Sequence, residues 1–285
     1  MLNIQKAPYQ DGTIYLVGVP IGNAEDISYR AVKILQKADV IFAEDTRKAL
    51  RLLDSLQIKP KKVYAHYEHN QEKSVAGIIK LAQDGYNIAF ISDAGMPGIS
   101  DPGYLLAKES IKHDISVVPI AGPCAGLLAL VVSGLPSSTF TFVGFLPRTV
   151  PQITSKLEDY KLQKDSLIFY ESPRRIVATL KVLKKVLGDR NICVAREISK
   201  IYEEYLRGTI SEVIVELESR DKVLGEFCIV VEGSDGIVVL DEKSLENDVI
   251  EMIKAGKSVK DIKNELSVKY KIHKKEVYNI YLKNK

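Results

Sequence analysis

The stretch AFISDAGMPGISDPG, residues 89–103, contains three glycines, two prolines and two aspartates. Together with residues 87–88, its first residues predict a short buried strand that ends at Ile91. The remainder predicts a rigid loop, because proline fixes its own backbone and glycine adopts conformations closed to other residues. A connecting turn needs only about two to five residues. A loop this long and this rich in glycine and proline therefore indicates a binding function.

Alternating strands and helices surround this loop. The helix after the first strand is predicted over residues 27–37, with Asp26 as its N-cap. Alternation of this kind indicates an α/β domain with a largely parallel sheet. The predicted strands are 13–19, 39–43, 62–65, 87–91 and 116–119.

The second half of the chain predicts a sheet of another kind. Pro173 suits the first position of a helix that ends before Gly188. Some of the strands are close enough in sequence to form hairpins, so this sheet is expected to be mixed. The predicted strands are 166–170, 191–196, 203–208 and 226–232. The resulting domains are 1–122, 123–235 and a helical module at 247–285, preceded by a polar linker.

The composition bears on whether the protein spans a membrane, is secreted or binds a metal through its cysteines. The 285 residues include no run of about 18 apolar residues, so no transmembrane helix is expected. The first residues lack the apolar core of a signal peptide. Cys124, Cys193 and Cys228 show neither metal-ligand spacing nor a disulfide framework, which favours a reducing cytoplasm and no metal.

Charge is unevenly distributed along the chain. Residues 250–285 carry ten lysines against four acidic residues, whereas the rest of the chain carries 30 basic and 33 acidic residues. A basic segment on a slightly acidic body indicates a polyanionic partner such as nucleic acid. A solvated, lysine-rich helical face remains the alternative.

Three loops rich in glycine and proline follow predicted strands: VGVPIGN (17–23), SDAGMPGISDPG (92–103) and PIAGPCAG (119–126). Ligands of open α/β sheets bind beyond the carboxyl ends of the strands. The dinucleotide fingerprint G-x-G-x-x-G and the phosphate loop G-x-x-x-x-G-K-[ST] are both absent. The three loops therefore predict a ligand bound largely through backbone groups, with Asp93 suited to a positive group or a ribose hydroxyl.

Several longer stretches resemble the tetrapyrrole methylase superfamily of S-adenosylmethionine-dependent enzymes and, within it, the bacterial ribosomal RNA small-subunit methyltransferase I family. They include VGVPIGNAEDIS (17–28), ADVIFAEDTRK (38–48), GLPSSTFTFVGFLPR (134–148), LIFYESPRR (167–175), AREISKIYEE (195–204) and GEFCIVVEG (225–233). The resemblance implies two α/β domains of the tetrapyrrole-methylase type with the methyl donor in the cleft between them. A small C-terminal helical module would follow these domains.

The resemblance also implies a function and a set of contacts. The family 2′-O-methylates a cytidine in the decoding region of 16S ribosomal RNA, its members are homodimers, and the partner would be this RNA or the 30S subunit. Carried over by position, the residues expected to bind S-adenosylmethionine are Pro20, Ile21, Asp93, Met96, Cys124, Ala125, Tyr170, Gly225 and Phe227.

Methyl transfer to a ribose hydroxyl requires alignment of the reacting atoms and benefits from a base that accepts the proton. Glu44, Asp45 and Glu171 follow predicted strands and are the catalytic candidates, with no single base assigned; His66 is a further possibility. Asp45 before Thr46 could instead cap a helix. The residues expected to contact RNA phosphates are Arg47, Arg148, Arg174, Arg175, Lys274 and Lys275.

Two other functions compete with this interpretation. The first is a methyltransferase of the same superfamily that acts on corrinoid precursors. The basic C-terminal segment and the motifs AEDTR and FYESPRR disfavour it. The second is a non-catalytic nucleic-acid-binding protein, which the intact loops at 92–103 and 119–126 disfavour.

Overall fold

A computed structural model describes residues 4–5, 11–66, 71–235, 242–270 and 272–284. Within these ranges the chain forms two five-stranded sheets, each with its own helices, followed by three C-terminal helices. The expected α/β class with two domains and a helical module is confirmed. No helix in the described ranges is long and apolar enough to cross a membrane.

The first sheet is entirely parallel, with strand order β3-β2-β4-β1-β5. Parallel sheets are buried on both faces, and strands β2 and β4 accordingly have four buried residues each. The order places the carboxyl ends of β1 and β4 side by side at the centre of the sheet. Its strands are β1 (Ile14–Val17), β2 (Val40–Ala43), β3 (Val63–Ala65), β4 (Ile88–Ile91) and β5 (Val117–Ile120).

Four helices cover this sheet: α1 (Tyr29–Lys37), α2 (Thr46–Ser55), α3 (Gln71–Gln83) and α4 (Tyr104–Lys112). The predicted N-cap of α1 is wrong, because the side chain of Ser28 accepts the hydrogen bond from the amide of Ala31. Asp26 lies instead in a short 3₁₀ turn just before Ser28.

The second sheet is mixed, as expected, with strand order β6-β7-β10-β8-β9. Strands β6 and β7 are parallel, whereas β7, β10, β8 and β9 pair antiparallel. The bounds are β6 (Phe140–Phe145), β7 (Ser166–Glu171), β8 (Asn191–Arg196), β9 (Glu204–Thr209) and β10 (Phe227–Val231).

The helices of the second domain are α5 (Ala125–Ser133), α6 (Val150–Glu158), α7 (Ile176–Leu187) and α8 (Ile210–Glu218). Helix α5 packs its buried residues Ala129 and Leu130 against one face of the second sheet. Helices α6, α7 and α8 cover the other face. Pro173 does not begin α7: it lies in a turn three residues before the helix.

The C-terminal module consists of α9 (Glu242–Lys254), α10 (Val259–Lys269) and α11 (Lys274–Lys283). Its buried apolar side chains pack on one another and form a small core of their own: Leu245, Val249, Ile262, Leu266 and Val277. Helix α9 begins at Glu242, so the module extends before the expected boundary at 247. Asp248 lies within this helix, and its carboxylate accepts hydrogen bonds from Lys269 and Tyr270.

Candidate active site

A cavity of about 470 Å³, called the donor cavity below, lies between the two sheets. One side is formed by the loops that follow β1, β4 and β5, and the other by residues at the ends of β7, β8 and β10. Sites for small molecules have volumes of about 300–1,000 Å³. The cavity is thus large enough for one small ligand held by both domains.

Most of the expected donor-binding residues line this cavity. They are Ile21, Met96, Cys124, Ala125, Tyr170 and Phe227. Pro20 and Asp93 line a smaller cavity of about 290 Å³, which shares Ile21 and Ala94 with the donor cavity. Gly225 precedes the lining residues Glu226 and Phe227.

Gly18 allows three loops to meet beside the cavity. A Cβ atom on Gly18 would lie 2.6 Å from the Cα of Gly122 and 2.5 Å from the Sδ of Met96. The first of these neighbours is backbone and cannot rotate away. The loops after β1, β4 and β5 can therefore approach this closely only because residue 18 has no side chain.

Hydrogen bonds within the second domain and between the two domains position the walls of the cavity. The amide of Gly126, in the first turn of α5, donates a 3.0 Å hydrogen bond to the hydroxyl of Tyr170 on β7. The amide of Asn23 donates to the Oγ of Ser199 across the domain boundary. Both walls are consequently positioned by hydrogen bonds as well as by packing.

Glu171 lines the donor cavity at the end of β7 and is almost completely buried. Its Oε1 accepts hydrogen bonds from the amide and the hydroxyl of Ser172, and its Oε2 accepts one from Thr179 at 2.6 Å. Arg175 lies 3.3 Å from the same Oε2. Four donors thus occupy this carboxylate, which favours a role in fixing the cavity wall.

Asp45 is the N-cap of α2, the alternative considered for it from the sequence. Its Oδ1 accepts the amide of Arg47 at 2.8 Å, and its Oδ2 lies 2.7 Å from the same guanidinium. Hydrogen bonds from Arg47 hold the pKa of Asp45 well below its usual range. Such a carboxylate is a weak proton acceptor at neutral pH.

Glu44, the third acidic candidate, lies between β2 and α2 within electrostatic range of Lys48 and Asp101. Lys48 donates a 2.7 Å hydrogen bond to Asp93, and this bond raises the pKa of Lys48. Asp93 also accepts the amide of Asp45 at 3.0 Å, so it joins the loops after β2 and β4. The four side chains form one charged cluster beside the cavity.

Asp101 was not among the candidates from the sequence, yet it lines the donor cavity. Burial and repulsion from Glu44 and Asp93 raise the pKa of Asp101 to about 7, against the opposing charge of Lys48. A perturbed pKa in a cleft often marks a functional group. In the sequence the residue belongs to Ser-Asp-Pro-Gly, which is typical of a turn, so the sequence alone does not indicate that it lines a cavity.

Of the other polar candidates, His66 and Arg175 are at least partly buried, and the rest are exposed. His66 is buried, its Nδ1 lies 2.8 Å from the Oγ of Ser74, and burial lowers its pKa, so its role is structural. The Nη2 of Arg175 donates to the carbonyls of Leu146 and Pro147. The remaining predicted RNA contacts are exposed on the surface: Arg47, Arg148, Arg174, Lys274 and Lys275.

The cavity walls fit S-adenosylmethionine. Residues 94–96 and 124–125, from the loops after β4 and β5, line the cavity, and the surrounding side chains are mainly apolar. The carboxylate of Asp101, which lines the cavity, suits a positively charged ligand. No group of three or more His, Cys, Asp or Glu residues in the described ranges is arranged to hold a metal ion.

Comparison with known proteins identifies the family. The family described as Tetrapyrrole (Corrin/Porphyrin) Methylases matches residues 13–214. A protein of Halalkalibacterium halodurans named ribosomal RNA small subunit methyltransferase I is 43% identical over 95% of this chain and 94% of its own length. The chain belongs to the ribosomal RNA small subunit methyltransferase I family. Members of this family use S-adenosylmethionine as the methyl donor.

Other relatives of the same name differ in length. The Bacillus subtilis protein is 41% identical over 95% of this chain and 94% of its own length. The Thermotoga maritima protein is 42% identical, and the alignment covers all of it but only 79% of this chain. The alignment with that relative leaves about a fifth of the present chain unmatched.

Solved structures agree on the fold. Uroporphyrin-III-C-methyltransferase from Thermus thermophilus superimposes with a TM-score of 0.55 at 19% identity, covering 78% of this chain and 94% of its own. Cobalt precorrin-4 methyltransferase gives a TM-score of 0.57 at 14% identity, covering 78% and 95%. At these identities the likeness supports the two-domain fold and not a tetrapyrrole substrate.

Proposed function

We propose that this protein transfers a methyl group from S-adenosylmethionine to the 2′-oxygen of a cytidine ribose in the decoding region of small-subunit ribosomal RNA. The observation that carries the proposal is the 43% identity, over 95% of the chain, to a protein named for methylation of this RNA. The cavity lined by residues from all three glycine-rich loops supports it from the structure.

Methyl transfer from a sulfonium is an in-line displacement, so the protein must mainly position the reacting atoms. The bound donor supplies a methyl group that is already activated. The loops around Gly18 and Met96 shape the cavity, and Tyr170 and Phe227 close it from the second domain. The acceptor hydroxyl would enter beside the charged cluster of Glu44, Lys48, Asp93 and Asp101.

The C-terminal module supports an RNA substrate. Lys274 and Lys275 begin α11 and are exposed, as are Lys254 and Lys260 on α9 and α10. Five apolar side chains of the module form its small core, and the four lysines lie outside it at the surface. Lysines arranged in this way can contact phosphates of RNA without reading its sequence.

A homodimer is part of the proposal. Helix α5 exposes four apolar side chains: Leu127, Leu128, Val131 and Val132. Phe142 of the edge strand β6 is partly exposed beside this helix, close to Gly126. A contiguous apolar surface of this kind is typical of an interface. Changing Val131, which is 78% exposed, to Glu should yield monomers by light scattering; an unchanged mass would place the interface elsewhere.

The function is tested by incubating the protein with methyl-labelled S-adenosylmethionine and either small ribosomal subunits or naked 16S RNA. The proposal predicts label on one cytidine of the decoding region, in a nucleotide whose 3′ linkage resists alkali because its 2′-oxygen is methylated. A cytoplasmic location is expected for an enzyme with this substrate. Label on a base, or label only on a tetrapyrrole precursor supplied in parallel, would overturn the proposal.

A further inference from the structure

Asp101 is held at the wall of the donor cavity by an unusual loop. The amide of Gly98 donates a 3.1 Å hydrogen bond to the carbonyl of Pro102, which closes the loop on itself. Ser100 adopts a positive φ of 61°, a conformation that is strained for a residue with a side chain. The surrounding structure maintains this strain, and the result is a fixed carboxylate that lines the cavity.

The charges around Asp101 come from several elements. Glu44 follows β2, Lys48 lies on α2 and Asp93 follows β4. Across the cavity, Glu171 is engaged by four donors, while Lys200 pairs with Glu197 and Glu226. Among the residues that the structure describes, no hydrogen bond to the carboxylate of Asp101 is found, and its pKa is shifted by burial and the neighbouring charges.

Asp101 therefore differs from three other carboxylates at the site. Glu171, Asp45 and Asp93 are occupied by hydrogen bonds, as described above. Asp101, in contrast, is partly buried, and its pKa is raised to about 7. A general base works best when its pKa lies near the pH of the reaction.

We propose that Asp101 is the group that accepts the proton of the ribose hydroxyl during methyl transfer, an inference that rests on the function proposed above. As the hydroxyl oxygen forms its bond to the methyl carbon, the carbon–sulfur bond breaks and its electron pair stays on sulfur. The hydroxyl proton passes to a carboxylate oxygen of Asp101 and then to water. Lys48 is a positioning residue that holds Asp93 beside this base.

Two substitutions should move the pH dependence in opposite directions. Glu44→Gln removes a negative neighbour, so the pKa of Asp101 should fall and the rising limb of kcat should move to lower pH. Lys48→Met removes a positive neighbour and leaves Asp93 unbalanced, so the limb should move to higher pH. A residue with a purely structural role would not produce shifts of opposite sign.

The main variant is Asp101→Asn, which keeps the size of the side chain and removes the base. We expect kcat to fall roughly 100-fold or more and the affinity for S-adenosylhomocysteine to change little. Asp101→Glu should restore part of the activity. Asp84→Asn is the control, because Asp84 is an exposed carboxylate after α3.

A second readout does not depend on turnover. A base that receives the proton of the attacking hydroxyl must lie near the sulfonium, whose positive charge lowers the carboxyl pKa. Calorimetry in buffers of different ionisation enthalpy should therefore detect release of up to about half a proton when S-adenosylmethionine binds near pH 7. S-adenosylhomocysteine, whose sulfur is neutral, should release less, and Asp101→Asn should abolish the difference.

The outcomes separate this inference from the proposed function. Wild-type protein that methylates no cytidine of small-subunit RNA contradicts the function itself. An active wild type with an Asp101→Asn variant of equal kcat contradicts only the role of Asp101. If Asp101→Asn fails to fold, pH limbs unmoved by Glu44→Gln and Lys48→Met would equally overturn the inference.

Discussion

The donor cavity and the C-terminal module differ in how their parts are held. The cavity draws residues from loops separated by up to about 200 positions, from Ile21 to Cys228, and both sheets are needed to enclose it. The module is local: its core comes from three consecutive helices. A site that depends on distant segments is sensitive to small changes in packing, whereas a local unit can be altered or removed with little effect elsewhere.

The largest effect is expected at Gly18, where the loops meet most closely. Gly18→Ala places a Cβ 2.6 Å from the Cα of Gly122, so backbone must move. We expect a loss of about 1–3 kcal/mol in the free energy of unfolding and donor affinity reduced by more than about tenfold, a difference of about 1.4 kcal/mol. Thermal unfolding and calorimetry with S-adenosylhomocysteine measure the two effects.

Gly77→Ala is the matched control for this substitution. Gly77 lies on α3, and a Cβ there would meet nothing within 4 Å. Alanine is the better helix former by roughly 1 kcal/mol, so this variant should be as stable as the parent or slightly more stable. Equal behaviour of the two variants would contradict the account of how the loops pack.

A smaller effect is expected at Asp93, which joins two loops of the first domain beside the cavity. Asp93→Ala removes the acceptor for the amide of Asp45 and the partner of Lys48. Donor binding should weaken by about 1 kcal/mol, the lower end of the range for an unpaired buried group, because the side chain of Asp93 is partly exposed. Asp93→Asn retains an acceptor for the amide and should lose less, and calorimetry that finds both variants unchanged would contradict the predicted role.

The smallest effect is expected in the module. Replacing Lys274 and Lys275 by Ala should weaken RNA binding only several-fold and reduce the log–log salt slope by about 1.5, because two phosphate contacts are lost. The adjacent pair Lys184 and Lys185, exposed at the end of α7, provides the control. A filter-binding titration in which both pairs have the same effect would argue against a specific role for α11.

Helices and strands could be predicted where their signal is local in the sequence. The parallel sheet was predicted correctly because each strand is a short apolar run between helical segments. The start of α1 was misplaced by two residues because Asp26 and Ser28 are both good N-caps, and only the hydrogen bond from Ala31 distinguishes them. The start of α9 was missed because four of the five residues 242–246 are polar and Leu245 alone shows no helical periodicity.

Helix α5 and strand β6 were not predicted at all. Residues 125–133 are apolar on every side, so they lack the periodicity that marks an amphipathic helix. Strand β6 contains Gly144 with a positive φ of 71°, where its pairing with β7 shifts register. A bulge of this kind interrupts the alternating pattern of a strand.

At the site, the sequence predicted the loops that line the cavity more accurately than it predicted the carboxylate that we propose as the base. Six of the expected donor contacts line one cavity. The catalytic candidates were chosen by their position after strands, a criterion that also selects helix caps such as Asp45. Asp101 became visible only when burial and the neighbouring charges of Glu44 and Asp93 were known.

The central claim is that the donor cavity does not depend on the C-terminal module, which contributes to RNA binding instead. It is tested most directly by comparing the full chain with a chain that ends at residue 240. Both should be titrated by calorimetry with S-adenosylhomocysteine and with a decoding-region RNA at several salt concentrations. We predict equal donor affinity, because no lining residue lies beyond Cys228, and RNA binding weaker by about tenfold or more with a salt slope reduced by several units. Loss of donor binding, or unchanged RNA affinity and slope, would contradict the account.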